Sequence, residues 1–197
     1  MLSIPLFPLH TVLFPDGILP LRIFEPRYLD MVSACLRTES GFGVCLISKG
    51  NEAGNPAECH EIGTLAKIVD WEKGEDGLLR IMAHGEQRFR VLQKRVRQNQ
   101  LLEGDVEVLD DAEDQELPVE FQLLSDLLRQ IATKFELPFL SEHEKFMRAV
   151  WVGCRLAELL PIELIDKQIL LEMDDPMRRL EQIQIALQTI STDQFSM

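Results

Sequence analysis

The chain has 197 residues, of which 46% are apolar and 27% charged, and its formal net charge is −13. That is an ordinary globular mixture, and it excludes a disordered tail, a collagen-like fibre and a low-complexity segment. A chain this long buries roughly 70% of the surface its unfolded form exposes, so it needs neither a metal nor a disulfide as a staple. No stretch approaches the roughly 18 consecutive apolar residues of a transmembrane helix, so no membrane association is expected. The apolar start, Met1-Leu2-Ser3-Ile4-Pro5-Leu6-Phe7-Pro8, lacks a basic flank and is broken by proline. It reads as the first strand of a fold and not as a secretory leader.

Along the first half, short apolar runs at Ile4–Phe7, Val12–Phe14, Ile18–Phe24, Phe42–Ser48, Ile62–Trp71, Leu78–Ala83, Phe89–Val96 and Glu103–Leu109 read as strands. They are separated by Pro8, Pro15-Asp16-Gly17, Gly50–Gly54, Gly74–Gly77 and Gly85, which are turn and breaker signals. Leu79, Ile81 and Ala83 alternate with Arg80, Met82 and His84, the two-residue period of a half-buried strand. His84-Gly85-Glu86-Gln87 reads as a tight turn that would fold the cation-rich segment 78–97 into a basic hairpin. Pro26 opens one helix, with Tyr28, Leu29, Val32, Cys35 and Leu36 at helical spacing.

The period then changes. Phe121, Leu124, Leu128, Ile131 and Phe135 step by three and four, as on an amphipathic helix. Ser141-Glu142-His143-Glu144 has the capping-box pattern ahead of a second helix. That helix holds Ala149-Val150-Trp151-Val152-Gly153-Cys154, apolar all round, and is expected to be the central one. A short helix with Leu164, Ile165, Ile169, Leu170 and Met173 on one face follows Leu160-Pro161. Asp175-Pro176 supplies an N-cap and a first-turn proline for the last helix, with Met177, Leu180, Ile183, Leu187 and Ile190 inward. The expected class is α+β: a nearly closed barrel with one helix over residues 1–115, then four helices over 116–197.

Charge is divided between the same two halves. Residues 1–97 hold twelve Lys/Arg and twelve Asp/Glu, whereas residues 98–197 hold eight and twenty-one. Arg80, Arg88, Arg90, Lys94, Arg95 and Arg97 are followed directly by the acidic stretch 103–120. Six cations are an electrostatic footprint for phosphates, but Phe89 is the sole aromatic among them, so base stacking is poorly provided for. Pairing with the acidic stretch as a neighbouring strand is the expected role, and nucleic-acid binding the alternative.

Chemistry is scarce. There is no phosphate-cradling G-x-x-x-x-G-K-[ST], no G-x-G-x-x-G and no G-x-S-x-G. His60-Glu61 and His143-Glu144 begin the zincin pattern, but Thr64 and Met147 stand where its second histidine belongs. Cys35, Cys45, Cys59 and Cys154 form no C-x-x-C pair and are expected to be reduced core fillers of a cytoplasmic protein. Neighbouring Glu58, Cys59, His60 and Glu61 point alternately to opposite faces of a strand, so no metal site is expected there. No catalytic, cofactor-binding or metal-ligating residue is assigned.

Two runs carry a resemblance. Leu6-Phe7-Pro8-Leu9-His10-Thr11-Val12-Leu13-Phe14-Pro15 and Leu19-Pro20-Leu21-Arg22-Ile23-Phe24-Glu25-Pro26-Arg27-Tyr28 closely resemble the substrate-binding N-terminal domain of Lon proteases. Phe42-Gly43-Val44, Glu52-Ala53-Gly54, Ile62-Gly63-Thr64-Leu65-Ala66, Gly85-Glu86-Gln87-Arg88-Phe89-Arg90-Val91 and the segment from Leu160-Pro161 to Arg179-Leu180 extend it over essentially the whole chain. The resemblance implies a PUA-like (pseudouridine-synthase-and-archaeosine-transglycosylase-like) pseudo-barrel followed by a helical bundle. It also implies a non-catalytic module that binds unfolded or partly folded polypeptide, without the ATPase and protease modules of Lon. RNA binding by the basic hairpin 78–97 is the alternative that fold analogy supplies. The candidate contact residues are Arg22, Glu25, Arg27, Tyr28, Arg88 and Arg90. Glu25 is expected to accept hydrogen bonds from first-turn amides of the helix opened by Pro26, with Arg22 and Arg27 as its ion partners.

Overall fold

A computed structural model of the protein describes residues 2–110, 113 and 115–194, with side chains up to residue 189. It resolves into two compact units, residues 1–110 and 111–197. The first contains β1 (Leu2–Leu9), β2 (Ile18–Ile23), α1 (Pro26–Thr38), β3 (Phe42–Lys49), β4 (Glu58–Cys59), β5 (Ile62–Lys73), β6 (Leu79–Val96) and β7 (Leu102–Val108). The second contains α2 (Gln122–Lys134), α3 (Ala149–Leu159), α4 (Leu164–Glu172) and α5 (Pro176–Gln194).

The longest strand organises the sheet. β6 has 18 residues, about 60 Å at ~3.3 Å per residue, so one of its edges has room for two partners in series. β2 pairs with Leu79–His84 and β7 with Phe89–Val96, while β5 follows the opposite edge from Leu79 to Arg90. The order is β1-β7-β6-β5-β3-β4, and a parallel pairing of β1 with β3 closes the circuit. Closure gives the five strands of the circuit a neighbour on each side, while β2 and β4 each hang from it by one partner among the described residues.

Residues 84–87 are therefore no turn, and the basic segment is one strand and not a hairpin. Gly85 explains the difference. Its amide donates to the Gly17 carbonyl at 2.8 Å, and its carbonyl accepts from the Asp16 amide at 2.8 Å. A Cβ at this position would lie 2.4 Å from the Phe14 carbonyl oxygen. The glycine thus serves a close backbone crossing inside a strand, beside a register shift against β5. Val12–Phe14 forms no strand either. It is buried, and the Leu13 carbonyl accepts from a side chain far along the chain, the Thr64 hydroxyl at 2.5 Å.

Glycines also shape the interior. A Cβ at Gly43 would lie 2.6 Å from Cζ of Phe89, and one at Gly63 would lie 2.8 Å from it. Phe89, fully buried, fills the space these two residues leave open and packs with Ile4, Leu6, Val91, Leu102 and Val106. A second cluster, including Phe7, Ile23, Val32, Phe42 and Ile81, buries one face of α1 against the sheet. Leu29 and Leu36, placed inward by spacing, lie more than a third exposed, and Met31 takes the inward position instead.

In the helical unit α3 is the centre, packed against α2, α4 and α5 and buried from Trp151 through Ala157. Phe139, Phe146 and Trp151 meet edge to face at its start, with centroids 5.0 Å apart for Phe146–Trp151. Ser141 ends a 3₁₀ turn, Pro138–Ser141, and caps nothing, so the expected capping box is absent. Asp175 does cap α5: its Oδ1 accepts from the Met177 amide at 2.9 Å. On α4 the buried side chains are Gln168, Leu170 and Leu171, while Ile165 and Ile169 are exposed, which rotates the helix from its expected face. The buried Arg179 of α5 donates from its guanidinium to the Leu170 and Met173 carbonyls at the end of α4. Those donations satisfy orphan carbonyls of the last turn.

Candidate polypeptide-binding surface

The β2–α1 junction positions most of the singled-out residues. Ile23 ends β2 facing the core, Glu25 precedes α1 in extended conformation, and Pro26 starts the helix with its φ already set. Glu25 makes no side-chain bond to the first-turn amides. Its carboxylate instead lies 3.1 Å from Arg27 Nη2 and accepts from the Gly54 amide at 3.4 Å. Arg27 is buried, and also donates to the Gln100 carbonyl at 3.2 Å and the Glu52 carbonyl at 3.4 Å. Arg22 is exposed and pairs with Asp76 at 2.8 Å, not with Glu25. The Leu78 amide first, and then Arg80 and Arg22, hold the Asp76 carboxyl below its ordinary range.

Tyr28 stacks on Phe7 with centroids 3.9 Å apart and lies beneath the Arg27 guanidinium. Burial pushes its phenol up to about 12, against the lowering effect of Arg27. It therefore stays neutral at physiological pH and keeps its proton to donate.

These residues surround a cavity of about 590 Å³ lined by Phe7, Leu9, Leu21, Phe24, Glu52 and Leu78 together with Arg22, Glu25 and Tyr28. Its walls are mostly apolar, with two carboxylates and one guanidinium at the rim. A second depression of about 610 Å³ shares Pro20, Leu21 and Arg22 with the first and runs over β2, β6 and β5 to Trp71 and Met82. Phe24 is 59% exposed in the first and Trp71 58% exposed in the second, where Arg22, Asp70, Glu72 and Arg80 stand beside it. Among the described residues β2 pairs with β6 alone, so its outer edge carries no strand. Pro20 in its middle has no N–H to give, as is usual for an edge strand.

Arg88 and Arg90 do not line this surface. Arg88 is buried on β6, and Arg90 faces Glu107 of β7 at 3.8 Å. Farther along β6, Arg95 bonds Glu103 at 2.8 Å and Asp105 at 3.0 Å, and Arg97 also bonds Glu103. The acidic strand thus answers the basic one. Phe24 and Glu52 stand in the runs that carry the resemblance but are not among the candidate contact residues, and Trp71 is in neither; the signal available for it was a large apolar residue at an outward position of a half-buried strand. Among the described residues no group of three or more His, Cys, Asp or Glu side chains converges as a metal site, and no helix is long and apolar enough to cross a membrane.

Comparison with known proteins gives this surface a context. The family model for the ATP-dependent protease La (LON) substrate-binding domain matches residues 3–189. The Lon protease of Xanthomonas oryzae pv. oryzae is 29% identical over 192 residues, covering 92% of this chain and 22% of that protein. Lon protease 1 of Bdellovibrio bacteriovorus is 31% identical over 132 residues, covering 66% of this chain and 16% of that protein. The chain spans about a fifth of the length of such curated relatives. A crystal structure of a Lon N-terminal domain protein from Xanthomonas campestris matches with TM-score 0.80 at 42% identity, covering 94% of this chain and 98% of that one. The N-terminal domain of a Mycobacterium avium complex Lon protease shares the fold, with TM-score 0.67 at 16% identity, 92% of this chain and 95% of that one being covered. This chain belongs to the Lon substrate-binding domain family.

Proposed function

We propose that this protein is a non-catalytic, cytoplasmic polypeptide-binding module, in which a PUA-like pseudo-barrel (residues 1–115) precedes a four-helix bundle (residues 116–197). Its clients are unfolded or partly folded segments. The observation that supports this most is the mostly apolar cavity beside the unpaired edge of β2, with the exposed Phe24 in its lining and the exposed Trp71 in the neighbouring depression. A folded protein hides its large apolar side chains, whereas an unfolded segment presents them to such a cavity. Each fully buried anchor contributes about 1.5–3 kcal/mol, and the cost of association takes back much of the sum. Two or three anchors therefore give weak, sequence-tolerant binding, which suits a recogniser of many segments.

The polar rim complements this. Glu25 is in position to accept backbone N–H groups, the neutral Tyr28 phenol to donate to a carbonyl, and Arg22 to attract an acidic side chain. Arg27 is a positioning residue that holds Glu25 through the 3.1 Å ion pair. Pro20 interrupts the donor row of β2, so strand addition there is partial, and side-chain burial supplies most of the affinity.

Fluorescence anisotropy of a labelled, reduced and alkylated unfolded protein tests the reading. Phe24→Ser and Trp71→Ser alter exposed side chains, so the fold stands, and together they are expected to weaken binding by about tenfold or more. Unchanged affinity in the double variant would refute the assignment. Retention of RNA in place of polypeptide would transfer the function to the basic strand.

A further inference from the structure

In the helical unit α4 and α5 both pack on α3, and a trough of about 480 Å³ lies between them. Asp166, Ile169, Leu170 and Met173 line it from α4. Gln182, Ile185, Ala186 and Thr189 line it from α5. Both sets step by i, i+3, i+4 and i+7, so each helix presents one stripe about two turns, or ~10 Å, long. Ile169 is 48% exposed and Ile185 54%, and Ile165, one turn before Ile169, is 51% exposed. Large apolar side chains thus stand in water on both walls.

The charges at this trough have one sign. Glu163 and Asp166 are the ionisable groups in its lining among the described residues. Glu163 stands at the N-cap position of α4 without capping it, and among the described residues neither carboxylate has a cationic partner. Glu181, exposed and one turn before Ile185 on α5, adds a third acid beside the stripe. The neighbouring cations are engaged elsewhere. Lys167 donates its Nζ to the Glu158 carbonyl at 2.6 Å, and Arg179 is buried in its bonds to the Leu170 and Met173 carbonyls. Arg178 of α5 is outside the lining. In the sheet unit, by contrast, Asp76, Glu103, Asp105 and Glu107 are each answered by an arginine. The complement of this trough is therefore apolar and positively charged.

We propose that the α4–α5 trough docks a cationic amphipathic α-helix of a partner protein, with apolar side chains at helical spacing and Lys or Arg flanking them. A helix fits because it satisfies its own backbone hydrogen bonds. α4 and α5 use theirs internally and offer an extended strand no ladder to join. The Thr189 hydroxyl is engaged as well, donating to the Ile185 carbonyl at 3.2 Å. A third helix lets its apolar row settle between the two stripes, knobs into holes. Its cations then meet Glu163, Asp166 and Glu181, while like charge turns acidic helices away. This trough belongs to the helical unit and takes a folded helix, whereas the β2 surface belongs to the sheet unit and takes unfolded segments. Each reading stands if the other fails.

Fluorescence anisotropy of the 197-residue chain tests this with a labelled helical peptide of about 18 residues, carrying Leu at i, i+3, i+4 and i+7 and Lys at the flanking positions. One companion peptide scrambles the order of the Leu positions, and another replaces each Lys by Glu. The Lys peptide is expected to bind, and both companions to bind at least about tenfold more weakly. Ile169→Ser/Ile185→Ser is expected to weaken the Lys peptide at least about tenfold. Glu163→Gln/Asp166→Asn is expected to weaken it about threefold at low salt and less at high salt. Phe24→Ser/Trp71→Ser should leave it unchanged, and amide exchange should slow in α4 and α5 of the saturated chain. Equal binding of the three peptides overturns the proposal, as does unchanged affinity in Ile169→Ser/Ile185→Ser. Loss of binding in Phe24→Ser/Trp71→Ser also overturns it, by moving the peptide to the β2 surface. So does self-association of the chain that Ile169→Ser/Ile185→Ser abolishes, which makes a second copy the occupant. The peptide comparison and the amide mapping use the unsubstituted chain, so a misfolded variant would not shelter the proposal.

Discussion

Adding a single methyl at Gly43 or at Gly63 tests the account of the sheet interior, because the two glycines are confined by different kinds of neighbour. At Gly43 the added Cβ meets only side chains: Phe89 Cζ at 2.6 Å, Leu6 Cδ2 at 2.8 Å and Phe89 Cε1 at 2.9 Å. At Gly63 it meets backbone first, the Val44 carbonyl oxygen at 2.4 Å, then Phe89 Cζ at 2.8 Å. Either Gly→Ala overpacks a closed interior and is expected to cost about 1–3 kcal/mol, with Gly63→Ala at the upper end. Phe89→Leu alone leaves a partial cavity and costs about 1–2 kcal/mol. It also removes the ring tip that obstructs position 43. The double variant Gly43→Ala/Phe89→Leu is therefore expected to be more stable than the sum of its parts by about 1–2 kcal/mol. Gly63→Ala/Phe89→Leu is expected to be additive within about 0.5 kcal/mol, because the carbonyl clash remains. Equilibrium urea unfolding measures the cycle, and amide exchange along β6 assigns the transition to the sheet unit. Equal coupling in both cycles would refute the packing argument.

Asp175→Ala removes the cap of α5, whose Oδ1 lies 2.9 Å from the Met177 amide, and should lower the stability of the helical unit by about 1 kcal/mol in urea unfolding. The Glu103 carboxyl is held below its ordinary range by Arg97 first and Arg95 next, with burial opposing. A lowered folded value means its stabilisation is complete above the ordinary carboxylate pKa of about 4.5 and is lost as pH falls through the folded value. The gap in melting temperature between the natural protein and Glu103→Gln should accordingly shrink between neutral pH and about pH 3. Arg90→Ala breaks an exposed pair at 3.8 Å, so it should cost about 0–1 kcal/mol in thermal melts and leave polypeptide binding unchanged.

How much of this was legible beforehand follows from which forces are local. The Asp175-Pro176 start of α5 and the all-round apolar run of α3 depend on residues within a turn of one another, and both appear as expected. Gly85 is the contrary case. A glycine flanked by polar residues signals a turn as readily as a close crossing, and here a partner some seventy positions earlier, the Phe14 carbonyl, decides. The face of α4 differs for a similar reason: Ile165 and Ile169 fit the helical period, but packing against α3, which no local spacing encodes, buries Gln168, Leu170 and Leu171 instead. At the candidate site, Arg22, Glu25, Arg27 and Tyr28 were picked out as one motif, and three of the four line one cavity. Trp71 and Glu52 join them only through strand pairing and loop contacts, which no local period encodes.

The central claim is that burial of apolar anchors, and not charge, carries recognition. The measurement that tests it most directly is the dissociation constant of an unfolded polypeptide that carries both large apolar and acidic side chains, over a series of salt concentrations. Burial and backbone hydrogen bonds are screened far less than exposed charges, so the account predicts binding that is nearly independent of salt. A steep fall in log affinity against log salt, with a slope matching release of several counterions, would contradict it and point to the cationic face of β6.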